Sequence, residues 1–361
     1  MAPSSDKFKP LPLAAPSSTR SVFAFAHLPE AFRLLLPEID AAPAGPVTWR
    51  EESRADCRRC VMSPAVSGDS LDTPWAFHPD ARCCTFHPAL ANFLAGQALR
   101  RGGRSARAIA GRVAEATGVS AWGIRPSAAW LEHYNNNADD RFGRDLALRC
   151  PYWVGGDHAC GIWSDRPSTC RTWYCKHDRG LAGAAVWAQL QRALAHVENL
   201  LADLCSARGQ PPVHPARPDE WLVWYRWCAE YIETADRDDL IAVADPALAE
   251  ARADLLTIAR RPESEIADVV VPSVESTWVE QGGIRISGYS RYDTIIAPRS
   301  IFVFLSGLDG TSTWRQAQAE MAKQGHEPVT DEIVSELYRI GAIEAPGSPS
   351  PTVIRRTPWP G

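Results

Sequence analysis

The feature that most constrains this chain is the stretch from Cys150 to Cys175, where four cysteines fall within 26 residues that also hold Pro151, Gly155, Gly156, Gly161 and Pro167. So many glycines and prolines break regular structure, so the stretch is expected to be an irregular loop region shaped by bound ligands. Four more of the ten cysteines lie upstream, as Cys57-Arg58-Arg59-Cys60 and the adjacent pair Cys83-Cys84. A CxxC lets a tight turn aim two thiolates at one ion. Thioredoxin-like use of the motif needs a strand–helix–strand context that the flanking sequence lacks. Adjacent cysteines strain as a mutual disulfide, whereas as ligands they can point to opposite sides and reach two metal centres.

The first 27 residues, rich in Pro, Ala and Ser, carry no apolar signal core and read as a disordered lead-in. The expected compartment is therefore cytoplasmic and reducing, where clustered cysteines bind metals or do chemistry rather than pair as disulfides. No run of about 18 apolar residues occurs, so no membrane span is expected. The 361 residues, 45% hydrophobic and 22% charged, suit a globular protein of two or three domains. A net charge of −5 does not advertise a nucleic-acid or anionic-membrane partner.

Apolar spacing predicts helices over 89–101, stopped by Gly102-Gly103, over 105–117, near 128–134 ahead of Asn135-Asn136-Asn137, and over 180–208, 220–234 and 239–260. Arg100, Arg101, Arg104, Arg107 and Arg112 form a basic face, read as solvated because no aromatic residues interleave with it. Trp221, Trp224, Tyr225, Trp227 and Tyr231 read as core. Cys205 and Cys228, without partners at ligand spacing, read as small buried hydrophobes. Beyond Val269 the pattern turns β-rich, followed by three short helices, with Thr311 or Thr313 and then Thr330 as N-caps. The fold expected is mainly α with irregular metal-bound loops and a small α+β winged-helix-like module at the C-terminus. Its parts are the lead-in to 27, a cysteine-cluster metal-binding domain over 28–180, a helical segment packed on it over 181–265, the module over 266–345, and a loose tail over 346–361.

The most specific motif is Cys-x-Ile-Trp-x-x-Arg-Pro-x-x-Cys-Arg from Cys160 to Arg171, preceded by Cys-Pro-Tyr at Cys150. With the vicinal pair after a CxxC, it resembles the YkgJ-type cysteine-cluster family, described as a zinc- or iron-chelating domain with eight characteristic cysteines. The resemblance covers roughly residues 55–180. It implies Cys57, Cys60, Cys83, Cys84, Cys150, Cys160, Cys170 and Cys175 as ligands, and a flagellin lysine methylase group with a related cluster keeps an enzymatic role open. The family's CxxC and CC lie a few residues apart, whereas 22 residues separate Cys60 from Cys83 here. The C-terminal third looks like the small winged-helix modules that bind leader peptides in peptide-modifying systems.

Eight thiolates suit one iron-sulfur cubane with spares or two four-ligand sites, with zinc as the alternative. His78, His87, His158 and His177 lie near cysteines in sequence, and His87 and His177 are the candidates to replace a thiolate or donate a proton. No GxGxxG after a strand, phosphate loop, HExxH or GxSxG is present. The function expected is an iron-sulfur protein with redox or modifying activity on a peptide or small-molecule substrate, its C-terminal module presenting a peptide or protein partner. The alternatives are a zinc-stapled structural or interaction protein and a redox-sensing winged-helix regulator. Against the regulator, residues 298–345 carry four basic side chains (Arg299, Arg315, Lys323, Arg339) and seven acidic ones, the wrong sign for phosphate neutralisation.

Overall fold

The computed structural model of the chain describes residues 20–22, 28–37, 51–53, 60–155, 160–213, 217–260, 265–280 and 282–348. Cys57, His158, most of the lead-in and the tail beyond 348 lie outside them. The chain is about 51% helical with small antiparallel sheets, so it is mainly α with some β. Within the lead-in, strand β1 (Arg20–Val22) pairs antiparallel with β2 (Glu51–Ser53). No helix among the described residues is long and apolar enough to cross a membrane.

The main core is built on the long helix predicted from apolar spacing. We label the helices in chain order: α1 (Glu30–Leu35), α2 (Pro64–Ser67), α3 (Asn92–Arg101), α4 (Gly103–Ala114), α5 (Ala128–Arg141), α6 (Ser168–Arg171), α7 (Gly180–Arg208), α8 (Pro218–Thr234), α9 (Arg237–Ile241) and α10 (Pro246–Ala259). Along α7, Val186, Leu190, Leu194, Val197, Leu201 and Leu204 recur at three- and four-residue steps and are buried. Each such side chain contributes roughly 1.5–3 kcal/mol of burial. They pack in one cluster with Phe93 and Leu94 of α3, Trp221, Trp224 and Tyr225 of α8, and Leu248 and Leu255 of α10. The aromatic stripe of α8 is core on its inner side and stacks outward, Trp224 on Trp227 and Trp227 on Tyr231. Cys205 and Cys228 are both buried in this interface, as read from the sequence.

Two predicted elements differ from the structure. The helix expected near 128–134 runs on through the three asparagines to Arg141. An asparagine costs a helix interior well under about 1 kcal/mol relative to alanine. The Asn137 amide donates to the His133 carbonyl at 2.7 Å, and Trp130 and Tyr134, one turn apart, stack at 5.1 Å against Phe86. The helix expected over 239–260 is two helices, because Asp245 caps a new start, its carboxylate accepting from Leu248 N–H at 2.8 Å, with Pro246 in the first turn.

The C-terminal part has its own core. Strands β3 (Ser276–Glu280), β4 (Gly283–Ser287) and β5 (Thr294–Ala297) form an antiparallel meander in which β4 is central and buried. Helices α11 (Ile301–Ser306), α12 (Trp314–Lys323) and α13 (Asp331–Arg339) follow. Thr313 forms a capping box with Gln316, and Thr330 caps α13. The strand Ile343–Glu344 then returns to pair with Val271–Pro272, closing the module. Its core also includes Ala184, with Leu181 packed against it, so the first turns of α7 belong to both cores.

Helices α3 and α8 approach at Gly96, where a Cβ would drive into the Tyr225 carbonyl oxygen and the Ala229 methyl. Because the obstacle is backbone, Gly96→Ala is expected to cost about 1–3 kcal/mol through overpacking. A lowered midpoint in thermal unfolding checks this, and an unchanged midpoint would refute the close approach.

Candidate metal centre

The cysteines are carried by turns, each fixed by its own main-chain bonds. Residues 78–84 coil into a turn in which Arg82 N–H donates to His78 O at 2.8 Å and Cys84 N–H to Ala81 O at 3.0 Å. Arg82 adopts the left-handed region, φ 52°, a conformation that costs a non-glycine residue on the order of 1–3 kcal/mol. Cys150 N–H then donates to Cys84 O at 2.7 Å, tying the vicinal pair to the central stretch. Trp153 N–H donates to Cys150 O at 3.0 Å, and Trp153 bridges to Cys160 as an isolated antiparallel pair. Among the described residues of this stretch the expected irregular loop is observed, interrupted by a 3-10 turn (Trp163–Asp165) and by α6, which carries Cys170.

This folding brings most of the predicted ligands into one neighbourhood. Cys83 lies against Cys84, its S–H donating to the Cys84 sulfur; that bond, then burial, pushes the Cys83 thiol well up. That bond is the largest influence on Cys84 and lowers it, but burial together with Cys150, Cys160 and Cys170 raises it overall. Burial, then Cys170 and Cys160, raise Cys150. Burial followed by the nearby charge of Cys160 raises Cys170. Cys60 is pushed up to about 11 by burial and then by Cys83. Cys175 is linked to Tyr292, whose hydroxyl feels its charge. All seven are half-buried and none is in a disulfide. As they stand, no three His, Cys, Asp or Glu side chains among the described residues are arranged so that they could hold a metal ion. The thiols are gathered in one place without being closed around a point.

What surrounds them matches an anionic occupant. Arg82 acts on Cys60 and Arg166 on Cys83 and Cys170, each favouring the charged thiolate. The Arg82 guanidinium lies 5.7 Å from the Trp153 ring centroid, and that of Arg166 lies 3.6 Å from Trp163. Arg171 donates to the carbonyls of Arg166 and Ser164, and burial lowers it to about 10. None of these three arginines forms a direct ion pair with a carboxylate among the described residues, although Arg171 feels Glu198 and Asp165. Among the described residues, seven buried polar side-chain atoms lack a hydrogen-bond partner, and four of them, Arg82 Nη1, His87 Nε2, Arg112 Nε and Tyr152 Oη, belong to this region. Tyr152 feels the charges of Cys150 and Cys170, and the His87 ring packs edge-on against it at 5.8 Å. Buried donors without acceptors call for an acceptor, and thiolates or sulfides are acceptors. In chemistry, the donor set fits a metal–thiolate group.

The histidines divide differently from expectation. His87 is buried against Trp130 and Tyr152, and burial lowers it to about 3. His78 lies at a surface depression of about 520 Å³ with Arg141, Arg144 and Asp145. His177 turns toward the C-terminal module, where its backbone N–H donates to Tyr289 Oη at 3.1 Å and its ring lies 3.2 Å from that oxygen. Tyr289 donates to Asp293 at 2.7 Å, and Arg339 grips Asp293 at 2.9 and 3.1 Å while reaching His177 O at 3.3 Å. Burial lowers the His177 ring to about 4. A second seam lies beside it, where Trp75 meets Trp278 edge-on at 5.1 Å and Arg285 lies 4.3 Å from the Trp75 ring and 3.7 Å from Asp69.

Three supporting residues escape any reading by motif. Glu198, on α7 and buried, accepts from Ser168 N–H at 2.6 Å and Ser168 O–H at 2.9 Å, fixing the turn that carries Cys170. Asp165, also buried, takes a bidentate bond from Arg101 at 2.9 and 3.0 Å. Ser105 donates to Gly161 O at 2.6 Å. Their partners lie 30 or more residues away, so no local spacing marks them.

Burial pushes the Glu198 carboxyl up to about 7 from 4.5, against the lowering effect of Ser168 and Arg171. The folded value exceeds the unfolded one, so the stability Glu198 confers is complete below about pH 4.5 and is lost as pH rises through about 7. Glu198→Gln keeps a bond to Ser168 and is expected to remove a slope on the order of 3 kcal/mol between about pH 5 and pH 8. Urea unfolding across that range checks this, and parallel curves for the two proteins would refute it. No family model, curated protein or solved structure matches this chain.

Proposed function

We propose that the chain binds an iron-sulfur cluster through its gathered cysteines and uses it in redox or modifying chemistry on a peptide or small-molecule substrate. The observation that carries this reading is the pairing of converging thiols with nearby cations and with the buried donor atoms Arg82 Nη1, Arg112 Nε and Tyr152 Oη, which have no acceptor among the described residues. Six thiols near one another are mutually repulsive as thiolates, and burial together with their neighbours holds them in the protonated form. A metal cation reverses that balance, and coordinating thiols are then deprotonated outright.

When bound, such a cluster supplies one-electron chemistry at a potential tuned by hydrogen bonds to its sulfurs and by solvent exposure. The residues of the chain set those conditions. Arg82, Arg166 and Arg171 offset the negative charge of a thiolate-ligated group. Tyr152 and Arg82 offer buried donors. Trp153 and Tyr174 shield the region, while Trp163 and Trp173 stay exposed at its edge. The neutral His87 ring offers a nitrogen beside Tyr152. The C-terminal module, read as winged-helix-like, is proposed to present a peptide or protein partner; its hydrogen bonds to His177 and Cys175 support a role next to the centre.

Purified without oxygen, the protein is expected to contain iron and acid-labile sulfide and to absorb broadly in the visible. Iron, sulfide and colour all absent after reconstitution would overturn the proposal. Zinc alone, bound tightly, would replace it with a zinc-stapled structural role.

A further inference from the structure

We infer that a surface strip made of Arg101, Arg104 and Arg107 together with the loop that carries Trp163 docks an acidic peptide segment. The inference rests on the proposed function only in treating that segment as a substrate; the docking itself needs no metal.

In the sequence the arginines read as a solvated face, because no aromatic residue interleaves with them. Folding supplies one from a distant segment. Arg101 holds the buried Asp165 carboxylate at 2.9 and 3.0 Å, and Ser105 Oγ donates to Gly161 O, 56 positions away, at 2.6 Å. A Cβ on Gly161 would lie 3.5 Å from the Ala108 methyl and 2.8 Å from a Val154 methyl. Residues 152–154 and 160–166 are thus laid along the end of α3 and the first turns of α4. On that side Trp163 is 44% exposed and Val154 39% exposed, with the Arg166 guanidinium 3.6 Å from the Trp163 ring centroid.

Arg104 and Arg107 stand one turn apart on α4, opposite the buried Ile109 and Val113, and both are exposed. Neither has an ion pair or side-chain hydrogen bond among the described residues. The strip's one carboxylate among the described residues, Asp165, is already taken by Arg101. From 82 to 176 the chain has thirteen Lys and Arg against seven Asp and Glu, although its net charge is −5. Elsewhere it therefore repels anions, and this region attracts them.

The chemistry of the strip selects the partner. Guanidinium groups take carboxylates in a matched planar fork. Trp163 and Val154 beside them offer apolar contact, and aromatic residues with arginine are the mixture that anchors protein partners. A single-stranded nucleic acid needs a row of open rings for its bases. Here one exposed ring is offered among the described residues of the strip, and Arg166 covers one side of it. Because the same loop carries Cys160, a docked peptide would lie at the edge of the thiol region.

Binding of a fluorescein-labelled peptide of alternating Glu and Leu to the full-length protein, followed by fluorescence anisotropy, is expected to saturate and to weaken severalfold as salt rises from about 0.05 to about 0.3 M. Arg104→Glu/Arg107→Glu is expected to lose at least about tenfold in affinity, and Trp163→Ala about threefold. Arg260→Glu/Arg299→Glu, which makes the same change in net charge at exposed positions outside the strip, is expected to bind within about twofold of wild type. No saturable binding to the folded wild type, equal losses in the two double variants, or equal binding of the matching Lys–Leu peptide would overturn the assignment. Tighter binding of labelled oligodeoxythymidine that is lost in Arg104→Glu/Arg107→Glu would overturn it in favour of single-stranded nucleic acid. The titration is run on metal-free and on anaerobically reconstituted protein, which separates the two readings. A chain that takes up no metal yet binds the peptide fails only the proposed function, and a metal-loaded chain that does not bind it fails only the docking.

Discussion

Burial of one face of α7 is the constraint on which the rest of the molecule depends. Its middle turns form the main core with α3, α8 and α10, its first turns enter the core of the C-terminal module, and Glu198 on the same helix fixes the Cys170 turn. The helix therefore sets the distance between module and cysteine loops. It also receives polar partners along its length: Asn92 donates to Ala202 O at 3.0 Å and Trp122 to Asn199 at 3.1 Å. The Asn92 bond is buried and satisfies groups that would otherwise be left unpaired, at a cost of about 1–3 kcal/mol.

A tension runs through the cysteine region. The loops bring thiols together, yet each is pushed toward its protonated form by burial and by its neighbours. Close-set thiols and the buried, unsatisfied Arg82 Nη1 are costly to assemble in a structure whose net stability is of the order of 5–15 kcal/mol. The strained Arg82 backbone adds to that cost at the residue that leads into the vicinal pair. Binding of a cation to the folded form would offset these terms together, which couples the order of the loops to occupancy of the site.

How much of this was legible in the sequence depended on range. Elements fixed by neighbours were readable: the stop of α3 at Gly102, the Thr313 and Thr330 caps, the ends of α7, and the irregular stretch from Cys150 to Cys175. Where tertiary contacts outweighed weak propensity, the reading failed, as with α5 running through three asparagines held by the Trp130–Tyr134 stack. The cysteines announced themselves by density. Their supports did not, since Glu198, Asp165 and Ser105 look like ordinary surface residues until α7, α3 and α4 fold beside the loop. His177 was marked by its nearness to Cys175, but its bonds run to Tyr289, more than a hundred positions on.

The entry of Ala184 and Leu181 into the core of the C-terminal module means that its spatial boundary lies well upstream of the strand that opens it in sequence. Gly180 and Gly341 tighten the join, since added methyl groups there would strike Arg339 and Leu181. A cassette cut at residue 266 would leave an apolar scar on both pieces. Recombination that transplanted the module intact would have to carry the opening turns of the long helix with it, and with them the segment that follows the last cysteine of the cluster.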